Sequence, residues 1–317
     1  MSTMTIDLLN KEYAIHNQLS FLEGVNTGAK GEDKHGFPFI KIDNNYASAV
    51  ISIYGGQVLS FLPKTEKKDL LFVSDSAFYK TGKAIKGGIP ICWPWFGNDP
   101  ENQGRAAHGF VRNRMWSVQE TATTDNGETQ VSLCLVDTSE TRLIWPYAFN
   151  LTLKITVGKE LKIELLTQNT GNDAFTITQA LHSYFAVGDI SQSCVIGLDD
   201  IEYIDKTLSS MPVVKQQGVV TIDSEVDRIY TNVPEKLTLK DNELKRQIHI
   251  TSNNSNSTVV WNPWVKITAE MADLQDNDYR HFLCVETTNA ASDVVEVLPG
   301  EEFCLVVEYE VENEQGE

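Results

Sequence analysis

Two histidines, one glutamate and a few cations are the residues whose types and positions could do chemistry in this sequence. Glu286 lies in FLCVETTNA, directly behind an apolar run. A carboxylate that follows a buried strand is costly unless it is paired or used. A strand-end salt bridge is the competing reading. His182 closes another apolar run, in ALHSYFAVGD. At a strand end the scaffold holds such a residue while its tip stays accessible, and imidazole titrates near neutral pH. An ordinary strand-edge histidine would leave the same pattern. His108 stands in AAHGFVRNR. A structural histidine is the simpler reading there, but Arg112 and Arg114 nearby argue for an anion or a polar ligand.

An acid and a base with these properties could act on opposite sides of a sugar ring. The base would take the anomeric hydroxyl proton while the acid protonates the ring oxygen, and the hemiacetal would open and reclose without a cofactor. Other chemistries have less support. No serine lies in GxSxG, and Ser183 would point away from His182 if the segment is extended. The six histidines show neither HxH nor HExxH spacing, so no metal site is expected. Gly87-Gly88 follows Lys86, but this is neither GxGxxG nor GxxxxGK. The two glycines either let Lys86 and backbone N–H groups approach an anion or make a tight turn.

Residues 84–116, AIKGGIPICWPWFGNDPENQGRAAHGFVRNRMW, concentrate the aromatic and cationic features. They hold three of the six tryptophans and three of the ten prolines, with Lys86, Arg105, Arg112 and Arg114. Rigid aromatic walls among cations read as the lining of a polar pocket, against a buried aromatic corner with incidental surface charge. If the segment is extended, Arg112 and Arg114 share a face and one or both meet an anion.

The whole chain limits the partners. Its 317 residues carry a formal charge of −18, which disfavours nucleic acid and anionic membrane surfaces. A local cationic cluster can still hold one small anion. No run of about 18 apolar residues appears, so no membrane span is expected. Residues 1–20 hold no long apolar run behind a basic start, and the five cysteines include no CxxC pair. The reading is a cytoplasmic protein with reduced thiols.

The elements that must position these residues are strands. Val131, Leu133 and Leu135 alternate with polar or smaller residues, as do Leu151, Leu153 and Ile155, then Leu161, Ile163 and Leu165. Side chains two apart share a strand face, so these segments predict an antiparallel sheet. Long helical stretches between strands are missing, which excludes a Rossmann or TIM-barrel chain. Later alternation at Phe303, Leu305, Val307 and Tyr309 continues the pattern. So many strands favour two large stacked sheets. The expected organisation is a packed lead-in over 1–35 with a turn at 28–31, one domain over 36–312, and a fraying polar tail over 313–317. A short helix is expected around Met271 and Leu274. With no spare amphipathic helix, a monomer is expected.

Six segments in order, KGGIPICWPWFG, HGFVRNRMW, ALHSYFAVGD, EVDRIY, VVWNPW and CVETTNA, resemble the hexose-6-phosphate mutarotases of the aldose 1-epimerase superfamily. The resemblance spans roughly 37–309. It implies an all-β fold, a large antiparallel β-sandwich of the galactose mutarotase type. It also implies cofactor-independent exchange of the α and β anomers of an aldose 6-phosphate, with glucose 6-phosphate the first candidate. By the same resemblance His182 is the general acid on the ring oxygen and Glu286 the general base on the anomeric hydroxyl. His108 becomes a substrate contact, Lys86 and Arg112 phosphate contacts, and Asp227 a sugar-hydroxyl contact, while Trp93 and Phe96 wall the pocket. Family members commonly carry arginine at the position of Lys86, and lysine keeps the charge but loses the bidentate fork. The alternatives are a non-catalytic sugar-binding module and an epimerase of unphosphorylated aldoses.

Overall fold

The computed structural model describes residues 5–23 and 37–313. The expected turn at 28–31 and the tail beyond 313 lie outside them. Two large sheets press their apolar faces together. The nine-stranded sheet runs in spatial order Val220–Thr221, Ser193–Ile196, Lys236–Asp241, Arg246–Asn253, Glu302–Asn313, Leu161–Asn169, Phe149–Val157, Thr129–Val136 and Ser117–Thr123. The alternation read from the sequence is its structural rule. Phe149–Val157 and Leu161–Asn169 bury every second side chain, and Leu153 pairs with both Leu133 and Leu165. Period-2 patterning puts one whole face of each strand into the core.

The eight-stranded sheet carries the candidate site. Its central strand is Phe282–Asn289, flanked on one side by Ser257–Asn262, Val226–Thr231 and Glu202–Asp205. The other flank is broken: Gln179–Leu181 pairs with the second half of the central strand and Tyr184–Ala186 with the first. Register sorts this sheet into two faces. Leu283, Val285, Val260, Tyr230 and Phe185 join the core between the sheets. Glu286 lies opposite Val259, Cys284 opposite Trp261, and Asp227 opposite the same tryptophan, so all five share the outer face.

A four-stranded sheet joins Leu19–Leu22, Phe39–Asp43, Ala47–Ser52 and Gln57–Pro63. The strand Leu19–Leu22 and the helix Ile6–Tyr13, which buries Leu9, therefore tie the lead-in to the body of the chain. At the other end Glu302–Asn313 stays paired through Asn313, where the sequence reading expected fraying to begin. The late helix is Trp264–Glu270 and ends before Met271, earlier than expected. Among the described residues no helix is long and apolar enough to cross a membrane.

Trp93 lies at the centre of the core, with its ring centroid 4.5 Å from Phe149, 5.0 Å from Trp145 and 6.0 Å from Phe110. Its indole N–H donates to Thr167 Oγ1 at 3.0 Å, which satisfies the one polar atom such a residue buries. Truncating it leaves a large cavity among rigid rings. Trp93→Ala is expected to lower stability by about 3–5 kcal/mol in denaturant titration. A loss below about 1 kcal/mol would contradict this placement.

Candidate active site

On the outer face of the eight-stranded sheet, Glu286, His182, His108, Arg112, Lys86, Asp227 and Phe96 surround one cavity of about 260 Å³, together with Tyr184, Lys206, Val259, Trp261 and Met271. A second cavity of about 220 Å³ shares Lys86, Arg112 and Tyr184 with it and adds Lys83 and Asp273. The structure thus brings together seven of the eight residues named from the sequence. Trp93 is the exception. It is fully buried beneath the site, so it is backing and not wall: a close aromatic cluster claimed the ring for the core.

Glu286 sits in the middle of a strand, not at its end as the sequence suggested. The strand runs on to Asn289 because its polar residues are buried with partners. Thr287 meets Ser252 at 2.8 Å and Thr288 meets Ser257 at 2.8 Å. His182 does sit at a strand end, in the break between Gln179–Leu181 and Tyr184–Ala186. Its backbone N–H donates to Pro90 O at 3.0 Å. Its ring stacks on Tyr184 at 4.8 Å and meets Trp261 edge-on at 6.0 Å. Imidazole Nδ1 lies 3.4 Å from Glu286 Oε1. Neither Nδ1 nor Glu286 Oε2 has a hydrogen-bond partner among the described residues, though both are buried. Ser183 turns the other way and bonds Tyr309 of the opposite sheet, which rules it out as a nucleophile beside His182.

Burial sets the charge state of this pair. It pushes Glu286 well above the usual carboxylate range, and the Asp227 charge adds to that while Lys206 and Arg112 oppose it. Burial also pushes His182 well below the usual imidazole range, helped by His108, Arg112 and Lys86. Both directions favour the uncharged form of each group, so the pair holds one proton over a wide pH interval.

The cationic side comes from residues 84–116. Arg112 lies in the short 3₁₀ turn Val111–Asn113, so the condition under which Arg112 and Arg114 would share a face is not met. Its Nη2 donates to Ala107 O at 3.0 Å, and its buried Nε has no protein partner among the described residues. Arg114 instead pairs with Glu140 at 2.9 Å, and Arg105 with Asp99 while covering the Trp95 ring at 4.4 Å. Neither lines the cavity. Lys86 Nζ lies 3.6 Å from Asp273 Oδ1 and 3.8 Å from Met271 Sδ. Burial lowers its pKa, Asp273 raises it and Arg112 lowers it again. Gly87 and Gly88 are glycines for packing: a Cβ would stand 2.4 Å from Phe72 O at the first and 2.2 Å from Val58 O at the second.

His108 is held by its own turn. Its φ is +64°, Gly109 follows at +71°, and a Cβ on Gly109 would fall 1.8 Å from Trp93 O. The buried tryptophan backbone thus sets where His108 stands. Its Nδ1 accepts the Gly97 N–H at 3.3 Å, which places the ring proton of the neutral form on Nε2 as a donor.

Lys206, Tyr184, Trp261, Met271 and Asp273 were not picked out as site residues from the sequence. Trp261 lies inside the VVWNPW segment and Tyr184 two residues after His182. Lys206 carries no local signal, since only strand pairing brings it to Asp227. Among the described residues no group of three or more His, Cys, Asp or Glu could hold a metal ion.

The large antiparallel β-sandwich is of the galactose mutarotase type, with a histidine and a glutamate on the outer face of one sheet among cations and aromatics. The aldose 1-epimerase family profile matches residues 38–310, and the chain belongs to that family. A protein of Salmonella typhimurium named "Putative glucose-6-phosphate 1-epimerase" is 36% identical over 253 residues, covering 80% of this chain and 83% of the relative. One of the same name from Cenchrus ciliaris is 36% identical over 269 residues, covering 80% and 78%. The crystal structure of a "putative mutarotase" from Salmonella typhimurium superposes with a TM-score of 0.85 at 31% identity, over 95% of this chain and 96% of that one. The chain is an isomerase of the aldose epimerase type.

Burial holds His108 down to about 3, with Arg112, Lys206 and Lys86 adding to the shift. Below the ordinary imidazole pKa of about 6.5 an unfolded chain would take up this proton while the folded one does not, so His108 costs stability as pH falls through that range. In NMR titration the His108 imidazole is expected to stay neutral to below about pH 5. A midpoint near 6.5 would contradict the geometry.

Proposed function

We propose that this protein interconverts the α and β anomers of an aldose 6-phosphate, with D-glucose 6-phosphate as the favoured substrate. The observation that carries the reading is the buried His182–Glu286 pair at 3.4 Å, facing a cavity that Lys86 and Arg112 also line. Glu286, as carboxylate, takes the C1 hydroxyl proton while imidazolium His182 gives its proton to the ring oxygen. The C1–O5 bond breaks, leaving an aldehyde at C1 and a hydroxyl on C5; rotation about C1–C2 presents the other face, and the same pair with roles reversed closes the ring. The pair holds one proton before the step and one after it, so no proton has to enter from water.

The phosphoryl group supports this chemistry as well as affinity. Arg112 and Lys86 are among the charges that push His182 down. A phosphate dianion between them offsets their fields and makes the acid easier to protonate once substrate is bound. Lys86 supplies a point charge there, and Arg112 a guanidinium already oriented by Ala107 O. His108 donates from Nε2 to a sugar oxygen, and Asp227 accepts from sugar hydroxyls. Phe96 and Trp261 give the ring apolar walls. The name carried by the Salmonella and Cenchrus relatives favours glucose 6-phosphate over other hexose phosphates.

Two-dimensional exchange NMR on the anomers of glucose 6-phosphate tests the reading. Glu286→Gln and His182→Asn are each expected to reduce exchange by about 10²-fold or more, with near-wild-type exchange in the first sinking the assignment of the base. Unphosphorylated glucose should lose at least about 10-fold in kcat/KM relative to glucose 6-phosphate. Equal rates on the two sugars would overturn the phosphate reading and leave a neutral-sugar epimerase.

A further inference from the structure

Lys206 projects into the cavity from the end of the strand Glu202–Asp205, and its side chain is committed to one partner. Its backbone N–H donates to Asp227 O at 2.8 Å, which extends the Asp205–Arg228 pairing by one residue. Its ammonium then reaches both carboxylate oxygens of Asp227, at 3.2 and 3.0 Å. Asp227 shares the outer sheet face with Glu286, one strand removed, so two carboxylates line a single cavity. We propose that Lys206 is a positioning residue: it clamps Asp227 in the orientation that meets the sugar and screens the Asp227 charge from Glu286. The proposal rests on Glu286 being the base.

The clamp has little structural reason to exist. The two side chains retain 30% and 24% of their exposure, and ion pairs so accessible to water contribute little to stability. Its electrostatic reason is specific. Two carboxylates lining one cavity repel each other, and a cation bound to one of them weakens that repulsion. Asp227 is the charge that most raises Glu286 after burial itself, and Lys206 is the first that opposes it. The other groups around Glu286 cannot take over this task. Cys284 on its own strand, Tyr184 beside His182, Cys92 and Tyr309 are all pushed upward by burial and stay neutral near pH 7. Arg112 and Lys86 are the remaining cations of the cavity, and in the proposed reading both serve the phosphate; His108 is held neutral by burial. His182, pushed below the usual imidazole range by burial, supplies no positive charge in the free site.

Anomer exchange of glucose 6-phosphate measured against pH separates a clamp from a structural role. In Lys206→Met the carboxylate of Asp227 is unscreened, so Glu286 holds its proton to higher pH. The acidic limb of kcat is expected to move up by about half a pH unit or more, with kcat reduced several-fold at neutral pH. Removing the second charge as well, in Lys206→Met/Asp227→Asn, should return the limb to its wild-type position or below, while sugar affinity stays weakened. Lys206→Arg should keep the wild-type limb. A limb that does not move in Lys206→Met, or moves equally in the double variant, overturns the proposal. If Glu286→Gln is inactive and the limb is unmoved, the Lys206 role alone fails. If Glu286→Gln exchanges anomers normally, the role of Glu286 fails and the clamp falls with it.

Discussion

The site depends on one interruption in a hydrogen-bond ladder. The strand Phe282–Asn289 is continuous, but its neighbour stops at Leu181 and resumes at Tyr184. In the gap the chain turns two side chains in opposite directions. Ser183 goes inward to Tyr309 of the other sheet, and His182 goes outward to Glu286. The break leaves the backbone satisfied, because the His182 N–H reaches Pro90 O and the Ser183 N–H reaches Leu181 O, each at 3.0 Å. The break thus sets a histidine level with the buried carboxylate of the central strand, while Lys206 and Arg112 oppose the loss of charge that desolvation imposes on it.

Local charge around this pair opposes the charge of the whole molecule. The chain is at −18, yet among the described residues Lys86, Arg112 and Lys206 converge on a cavity lined by two acids, Glu286 and Asp227. Each cation has a distinct tether: Asp273 for Lys86, Ala107 O for Arg112, Asp227 for Lys206. Tethering holds the cations where an anionic ligand would meet them, so less side-chain freedom is lost on binding.

Much of this is legible in the amino-acid sequence, for physical reasons that differ by residue. The three alternating runs at 131–135, 151–155 and 161–165 became adjacent strands because period-2 patterning has one stable use. His182 was placed at a strand end by the apolar run that precedes it. Glu286 was misplaced because ETTN looks like the start of a loop. Those hydroxyls are buried only through partners on Ser252 and Ser257, which lie far away in sequence. Trp93 was indistinguishable from a pocket wall, since only the close approach of Gly109 and the Phe149–Trp145 cluster puts its ring in the core. Arg114 was lost to Glu140, and Lys206 gained its place through cross-strand pairing, which no local spacing encodes.

The central claim is a single orientation of a sugar phosphate in this cavity. A crystal structure with the non-reducing analogue 1,5-anhydroglucitol 6-phosphate tests it without relying on turnover. The phosphoryl group is expected between Lys86 and Arg112, with the ring oxygen within hydrogen-bonding distance of the His182 imidazole. Electron density that places the phosphoryl group away from both cations, or the ring outside reach of His182 and Glu286, would contradict it.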